Sequence, residues 1–302
     1  MRVVVGERLG GPEVLKVTER EAPRPGPGEV VVEVAAVGVN YMDIYQREGV
    51  GNYRTEPPFV PGGEGAGTVA AVGADVKDLA VGDHVAWAGP GNSYAEQVAL
   101  PAHRVVRVPD GISLQVAAAA ILQGMTAHYL CTSTYPVSEG DISVVHAAAG
   151  GVGLLLTQMV KRRGGVVVGT TSGGEKAELV LGAGAHVVYD GVGKDTFDDS
   201  LAALRVRGMM VLYGAASGQV PPVDPQRLNS GGSLFLTRPT LVHYTADTAE
   251  LRWRAGEVFD WIAKGELEVR IGGTYPLAEA ARAQGDLAGR RTTGKLLLLP
   301  GL

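Results

Sequence analysis

The stretch His146-Ala147-Ala148-Ala149-Gly150-Gly151-Val152-Gly153 constrains the fold of this chain more than any other. It follows the apolar run Ile142-Ser143-Val144-Val145, which reads as a buried strand. It leads into Leu154-Leu155-Leu156-Thr157-Gln158-Met159-Val160, which reads as a helix. Ala147, Gly150 and Gly153 fall in an AxxGxxG pattern. A tight turn between strand and helix lets the backbone approach a pyrophosphate, and the helix N-terminus supplies unpaired N–H groups to hold it. A dinucleotide is the ligand this pattern implies.

The sequence around this turn alternates in the same manner. After a helical pattern over 114–131 come a strand at 142–147, a helix at 152–163, a strand at 166–170 and a helix at 174–182. A strand at 186–189, a helix at 196–205 and strands at 209–213 and 232–236 follow. Near-continuous apolar strands between helices predict a parallel sheet covered on both faces. Residues 1 to about 110 differ. Short apolar segments at 30–37, 66–72, 81–87, 94–100 and 105–108 lie between Gly, Pro and Asp punctuation, which fits a small β-barrel-like domain. A helix is expected at 248–264. The tail 295–299 reads as a strand that returns to the N-terminal domain. A ligand held between two such domains is the natural expectation.

Composition limits what such a chain binds. Its 302 residues are 45% hydrophobic and 20% charged, with a formal net charge of -5 and no Lys/Arg-rich block. A nucleic-acid surface needs concentrated basic charge, so none is expected. No apolar run approaches the ~20 residues of a membrane span. The opening Met1-Arg2-Val3-Val4-Val5-Gly6-Glu7 is strand-like rather than a signal peptide. One cysteine, Cys131, leaves no intrachain disulfide and no cysteine-rich zinc site, and a reducing cytoplasm is the expected compartment. Burial rather than nucleophilic work is expected of Cys131, and a satisfied structural role of His146.

Taken in order, several short motifs carry a resemblance over essentially the whole chain. They are Gly10-Gly11-Pro12-Glu13-Val14-Leu15, Gly38-Val39-Asn40, Pro61-Gly62-Gly63-Glu64-Gly65-Ala66-Gly67, Val81-Gly82-Asp83-His84-Val85, the Ala147 to Gly153 turn, Tyr189-Asp190-Gly191-Val192-Gly193 and Thr292-Thr293-Gly294-Lys295. The chain resembles the zinc-less, NADPH-dependent quinone oxidoreductases of the medium-chain dehydrogenase/reductase family, the group that includes zeta-crystallin. The resemblance implies an α/β protein with a GroES-like β-barrel catalytic domain (1–111 and 266–302) and a Rossmann domain (112–265) with a doubly wound parallel sheet. It also implies a homodimer or homotetramer. Zinc-dependent relatives place a Cys ligand after a Gly-Val and a His in a Gly-His-Glu motif. The corresponding positions here are Asn40 and Gly63, and the six His residues are scattered. Without a metal to acidify an alcohol, hydride donation to an already electrophilic acceptor is the expected chemistry.

The expected site residues follow from these motifs. At the end of the 166–170 strand the run Thr170-Thr171-Ser172-Gly173-Gly174-Glu175-Lys176 has no carboxylate where NAD-binding proteins bond the ribose. Thr171, Ser172 and Lys176 therefore read as a 2′-phosphate site and favour NADPH. Glu175 reads as a first-turn helix residue. Ala147, Gly150, Gly151, Val152 and Gly153 read as the pyrophosphate turn. Asn40 is implied near the nicotinamide ribose and substrate, or else caps the helix 41–47. Tyr45 and Tyr53 read as substrate-pocket tyrosines or as half-buried packing. Thr126 is implied as a nicotinamide contact, or bonds back to its own helix. Ser217 bonds the cofactor or its own turn. Phe235, Thr237 and Arg238 are implied on the carboxamide side, and Gly294 and Lys295 in a C-terminal cofactor turn, with Lys295 alternatively a rim charge.

The expected reaction is reduction of a quinone by NADPH, by one- or two-electron transfer. Reduction of an enone or alkenal C=C bond is the alternative. A cofactor-binding protein with a structural or RNA-contacting, crystallin-like role is a third reading. One departure from the family stands out between Gly184 and Gly193. Roughly two dozen residues are absent where the family has a third strand and a helix, while a crossover alone needs ~10–12. Either the sheet has lost an edge unit or residues are missing near 185–192; the length of the jump to the sheet's centre favours the second. Tyr189 is then either a tyrosine covering the adenosine phosphate or the one preceding Asp190 in a later strand.

Overall fold

The computed structural model describes residues 1–89, 91–171 and 184–302. The chain divides into two compact units, 1–122 with 247–302, and 123–246.

The first unit is built on β3 (Glu29–Val39). Its run of valines buries both faces, with only Glu33 exposed. β-branched residues suit such a strand because their restricted side chains pack on a pleated surface. Its length has a topological reason. One edge pairs along most of the strand with β4 (Glu64–Val72). The other edge is shared: residues 29–33 pair with β6 (Gln97–Pro101), and Val37 to Val39 with the C-terminal β14 (Lys295–Leu299). The ladder continues from β4 to β5 (His84–Ala88) and β7 (Val105–Arg107), and from β14 to β13 (Ile271–Pro276). A separate antiparallel pair joins β1 (Arg2–Gly6) to β2 (Leu15–Glu19). Val30, Val32, Val69, Val85, Trp87, Tyr94 and Leu100 form the core between these strands. Each large side chain removed from water contributes about 1.5–3 kcal/mol. The tail returns to this unit as the sequence suggests.

The helix Thr248–Ala263 also belongs to the first unit. Asp247 caps it by accepting from the backbone N–H groups of Ala249 and Glu250, and Arg252 pairs with Asp78. The units thus divide at 122/123 and 246/247, whereas the sequence places the boundaries at 111/112 and 265/266.

The second unit holds a five-stranded parallel sheet in the order β12-β11-β10-β8-β9. Its strands are β8 (Ile142–Val145), β9 (Val166–Gly169), β10 (Ala185–Asp190), β11 (Leu204–Leu212) and β12 (Phe235–Thr237). Val144, Val188, Phe197, Leu201 and Met210 pack against one another in its core. The helix expected at 196–205 is shorter, Phe197–Ala202, because Leu204 already pairs with Ala185 to open β11. The six-stranded dinucleotide fold runs 3-2-1-4-5-6. The observed order matches 2-1-4-5-6, and no outermost strand accompanies β9 among the described residues. The 15 residues 170–184 separate β9 from β10. That length is enough for one crossover of at least ~10–12 residues but not for helix, strand and helix. The described sheet has the shortened form, without a longer segment to carry the chain past β8.

Candidate dinucleotide site and acceptor site

The turn after β8 has the geometry a pyrophosphate requires. Helix α3 (Gly151–Arg162) starts directly from it, with Gly150 in extended conformation at its N-cap. Ala147 adopts a left-handed φ of 53°, uncommon for a residue with a Cβ. At Gly153 a Cβ would stand 2.7 Å from Ala148 Cα and nearer still to the Ala147 carbonyl oxygen. The first turn of α3 can therefore lie against the loop only because residue 153 has no side chain. A Cβ at Gly151 would overlap the Gln123 side chain. The first-turn N–H groups have no partner within the helix, and the helix dipole favours an anion there. Turn and helix together fit a dinucleotide.

The turn is braced by a buried polar chain across the ends of three strands. His146, at the end of β8, lies 2.9 Å through Nδ1 from Thr170 Oγ1, just past β9. Its Nε2 lies 3.0 Å from Ser200 Oγ, which donates to Asp190 Oδ2 at the end of β10 (2.9 Å). Asp190 also accepts from the N–H groups of Val192 and Gly193 and from the Thr196 hydroxyl. Burial lowers the His146 pKa, while the Asp190 charge raises it and offsets part of that effect. Thr170 is tied to the glycine turn by its carbonyl, which accepts from Ala148 N–H at 2.8 Å. The structural role expected of His146 thus has definite partners.

Other expected cofactor residues are distributed as follows. Thr171 is exposed at the end of β9, and Ser172 and Lys176 lie outside the described residues. Thr126 is buried on α2 (Leu114–Tyr129). Tyr189 is fully buried in β10, and its hydroxyl donates toward the carbonyls of Leu130 and Tyr135. It is therefore the strand tyrosine of the two readings, and its ring has no surface from which to cover a nucleotide. Ser217 follows the turn reading: its hydroxyl donates to Val192 O and accepts from Asp195 N–H. Phe235 is exposed on β12 beside Thr237, and Arg238 donates to its neighbour's carbonyl, Pro239 O.

In the first unit Asn40 and Lys295 come together, 255 residues apart in sequence. Asn40 is the N-cap residue of α1 (Tyr41–Glu48), as one reading expects, but its side chain has other partners. Its Oδ1 accepts from Lys295 Nζ at 2.8 Å, and its Nδ2 donates to Glu64 Oε1 at 2.7 Å. Lys295 Nζ also pairs directly with Glu64 and donates to Val39 O. Lys295 is 1% exposed, so it is no rim charge. The preceding Gly294 has a φ of 72°, and a Cβ there would collide with Arg270 O.

Asp43, one turn into α1, accepts from Asn40 N–H (2.9 Å) and from the Tyr94 hydroxyl (3.0 Å). Burial pushes its carboxyl up to about 7, against the lowering effects of the Asn40 N–H, the Lys295 charge and the Tyr94 hydroxyl. Tyr45 and Tyr53 lie with ring centroids 5.5 Å apart, and Tyr41 adds a third ring 6.2 Å from Tyr45. Glu64, Asp43, Tyr94 and Tyr41 escaped the sequence reading. Glu64 stands inside a motif already noted for its glycines, and Asp190 inside another. Tyr41 is signalled only by its helical spacing to Tyr45. Gly63 packs where a Cβ would overlap Met42. Among the described residues no group of three or more His, Cys, Asp or Glu could hold a metal ion.

Two family models match: the alcohol dehydrogenase GroES-like domain over residues 26–110 and the zinc-binding dehydrogenase model over residues 159–298. The chain is 42% identical to a quinone oxidoreductase of Pseudomonas aeruginosa, covering 96% of this chain and 97% of the relative. That alignment runs over 319 positions, more than the 302 residues here, so the relative carries residues this chain lacks. The chain is 37% identical to a 2-haloacrylate reductase of Burkholderia sp., covering 97% of each. The mycobacterial protein Rv1454c, solved in complex with NADPH, superposes with a TM-score of 0.94 at 46% identity, over 99% of this chain and 100% of that one.

Proposed function

This chain belongs to the zinc-independent, zeta-crystallin-like quinone oxidoreductase group of the medium-chain dehydrogenase/reductase family, and on that premise we propose that it reduces quinones with NADPH. The observation that carries the proposal is the Ala147 to Gly153 turn, whose backbone at Gly153 admits no side chain and whose helix opens on N–H groups that no residue of the helix itself can satisfy. Gly150, Gly151, Val152 and Gly153 hold the pyrophosphate. Thr171, with Ser172 and Lys176, takes the 2′-phosphate. When bound, NADPH supplies a hydride equivalent to the acceptor.

The chain's own contribution is position and polarity. Reduction of a carbonyl acceptor develops negative charge on oxygen, which a preorganised donor stabilises. Asn40 lies near the nicotinamide ribose and substrate. The Lys295 ammonium on its Oδ1, with Nδ2 donating to Glu64 Oε1 and toward Gly38 O, fixes which way the amide faces. Tyr45 and Tyr53, joined by Tyr41, offer aromatic faces and hydroxyls to a planar acceptor. We assign Thr126, Phe235, Thr237 and Arg238 to the nicotinamide side, and Gly294 to a cofactor turn of the first unit. As a functional division, rather than a division by packing, we assign 1–111 with 266–302 to the catalytic part and 112–265 to the cofactor part. The active form is a homodimer or homotetramer in the cytoplasm.

Reduction of an activated C=C bond is the second reading, and the likeness to a 2-haloacrylate reductase favours it. The same donors would then stabilise an enolate. Titration with NADPH and NADH, followed by nucleotide fluorescence, tests the cofactor. NADPH is expected to bind at least ~100-fold tighter, about 2.8 kcal/mol. Equal affinities would remove the phosphate site, and binding of neither would leave a structural role. Turnover of quinones against enones and haloacrylates then separates the two reactions.

A further inference from the structure

We infer that Thr170 is an obligate hydrogen-bond acceptor, held so by a one-way chain from Asp190 through Ser200 and His146, and that it receives a ribose hydroxyl of the adenosine half of the dinucleotide. The inference rests on the dinucleotide reading above and adds a residue to it that no motif singles out.

The direction of the chain follows from counting hydrogens. Asp190 gathers two backbone N–H donors, from Val192 and Gly193, and the Thr196 and Ser200 hydroxyls. Four donors on one carboxyl group require both oxygens to accept. Ser200 therefore spends its single hydrogen on Asp190. Its oxygen, 3.0 Å from His146 Nε2, is then an acceptor, so the imidazole hydrogen sits on Nε2. Burial lowers the pKa of that imidazole below its ordinary value, against the raising effect of Asp190 and Asp199, so at neutral pH the ring is neutral and Nδ1 is bare. The Thr170 hydroxyl, 2.9 Å from Nδ1, must donate to it. The hydroxyl hydrogen is then spent, and Thr170 Oγ1 can only accept from any further partner.

Position gives this polarity a use. Thr170 follows the last residue of β9, where dinucleotide-binding sheets place a carboxylate that accepts from the adenosine ribose. Its carbonyl is tied to the glycine turn through Ala148 N–H. An acceptor there repels a phosphate but welcomes a hydroxyl. In NADPH the 2′ oxygen is phosphorylated, which leaves the 3′-hydroxyl as the donor. Thr170 thus does, uncharged, what the carboxylate does in NAD-binding relatives, and leaves the 2′-phosphate without an anionic neighbour.

The test combines a spectrum with a cycle. Nitrogen-15 NMR of the whole protein, with His146→Gln used to assign the ring, is expected to show the hydrogen on Nε2. Calorimetry is then run with adenosine 2′,5′-bisphosphate and its 3′-deoxy analogue. Thr170→Val should weaken the first roughly 3- to 10-fold and leave the second unchanged, while Thr170→Ser behaves as wild type. Ser200→Ala, which frees the ring to place its hydrogen on Nδ1, should give a mixed tautomer and a partial loss for the first ligand only. A hydrogen found on Nδ1 in the wild type, or equal weakening of both ligands by Thr170→Val, overturns the inference while the dinucleotide site stands. Binding of neither ligand by the wild type overturns both.

Discussion

Lys295 and Asn40, at opposite ends of the chain, meet at 2.8 Å with Glu64 as their common partner, and all three side chains are buried. A charge pair taken out of water is held by its geometry. Lys295 satisfies its three donors on Val39 O, Asn40 Oδ1 and Glu64. Removing one partner strands the other, at about 3–5 kcal/mol. Lys295→Met should therefore destabilise the protein by that order in urea unfolding. The double variant Lys295→Met/Glu64→Gln should recover most of the loss. A single variant as stable as wild type would show that the pair contributes nothing.

Asp43 makes stability depend on pH. Its carboxyl is raised from 3.8 to about 7 in the folded protein, mainly by burial. The folded state then holds a proton that the unfolded chain has released. The stabilisation from this group is fully present below pH 3.8 and is lost as pH rises through about 7. Between pH 3.8 and about 7 its contribution to unfolding free energy should fall with pH, and above that it should be flat. Asp43→Asn should flatten that slope, and an unchanged slope would assign the dependence to other groups.

At Gly153 a methyl group must displace backbone. Gly153→Ala is expected to cost about 1–3 kcal/mol by overpacking. It should also weaken NADPH binding at least ~10-fold, since the first turn of α3 would move off the loop. Thermal unfolding and fluorescence titration read the two effects separately. Unchanged binding in a destabilised variant would detach the turn from the cofactor.

The tyrosine group should appear in substrate recognition. Tyr53 is exposed at 37% and rests on Tyr45, so it can be altered without opening the core. Tyr53→Ala should raise KM for a naphthoquinone about 2- to 12-fold through lost stacking, and Tyr53→Phe should not. Equal KM values for all three proteins would remove the stacking role.

Periodic features were legible in the sequence. The valine run of β3, the strand–turn–helix at 142–162 and the C-terminal strand all follow from local pattern, because burial of one face or both imposes it on consecutive residues. What depends on distant partners was not legible. Lys295 reads equally as part of a cofactor turn or as a rim charge until Glu64, 231 residues away, is placed beside it. Ser217 reads equally as a ligand contact or a turn residue until Val192 O is seen to take its hydrogen. Tyr189 is ambiguous in sequence because two tyrosine motifs align with it, and its place in β10 decides between them. The helix expected to reach 205 stops at Ala202 because pairing with β10 outweighs the helical pattern.

The divided edge of β3 sets an order of biosynthesis. Residues 37–39 emerge from the ribosome long before their partners in β14, which lie more than 250 residues further along the chain. The unit 123–246 is contiguous and can collapse as soon as it is clear of the exit tunnel. The valine-rich sheet must wait with part of one flank unpaired until β14 has been translated. The nascent chain is most exposed to aggregation in that interval, and it is there that a chaperone has most to protect.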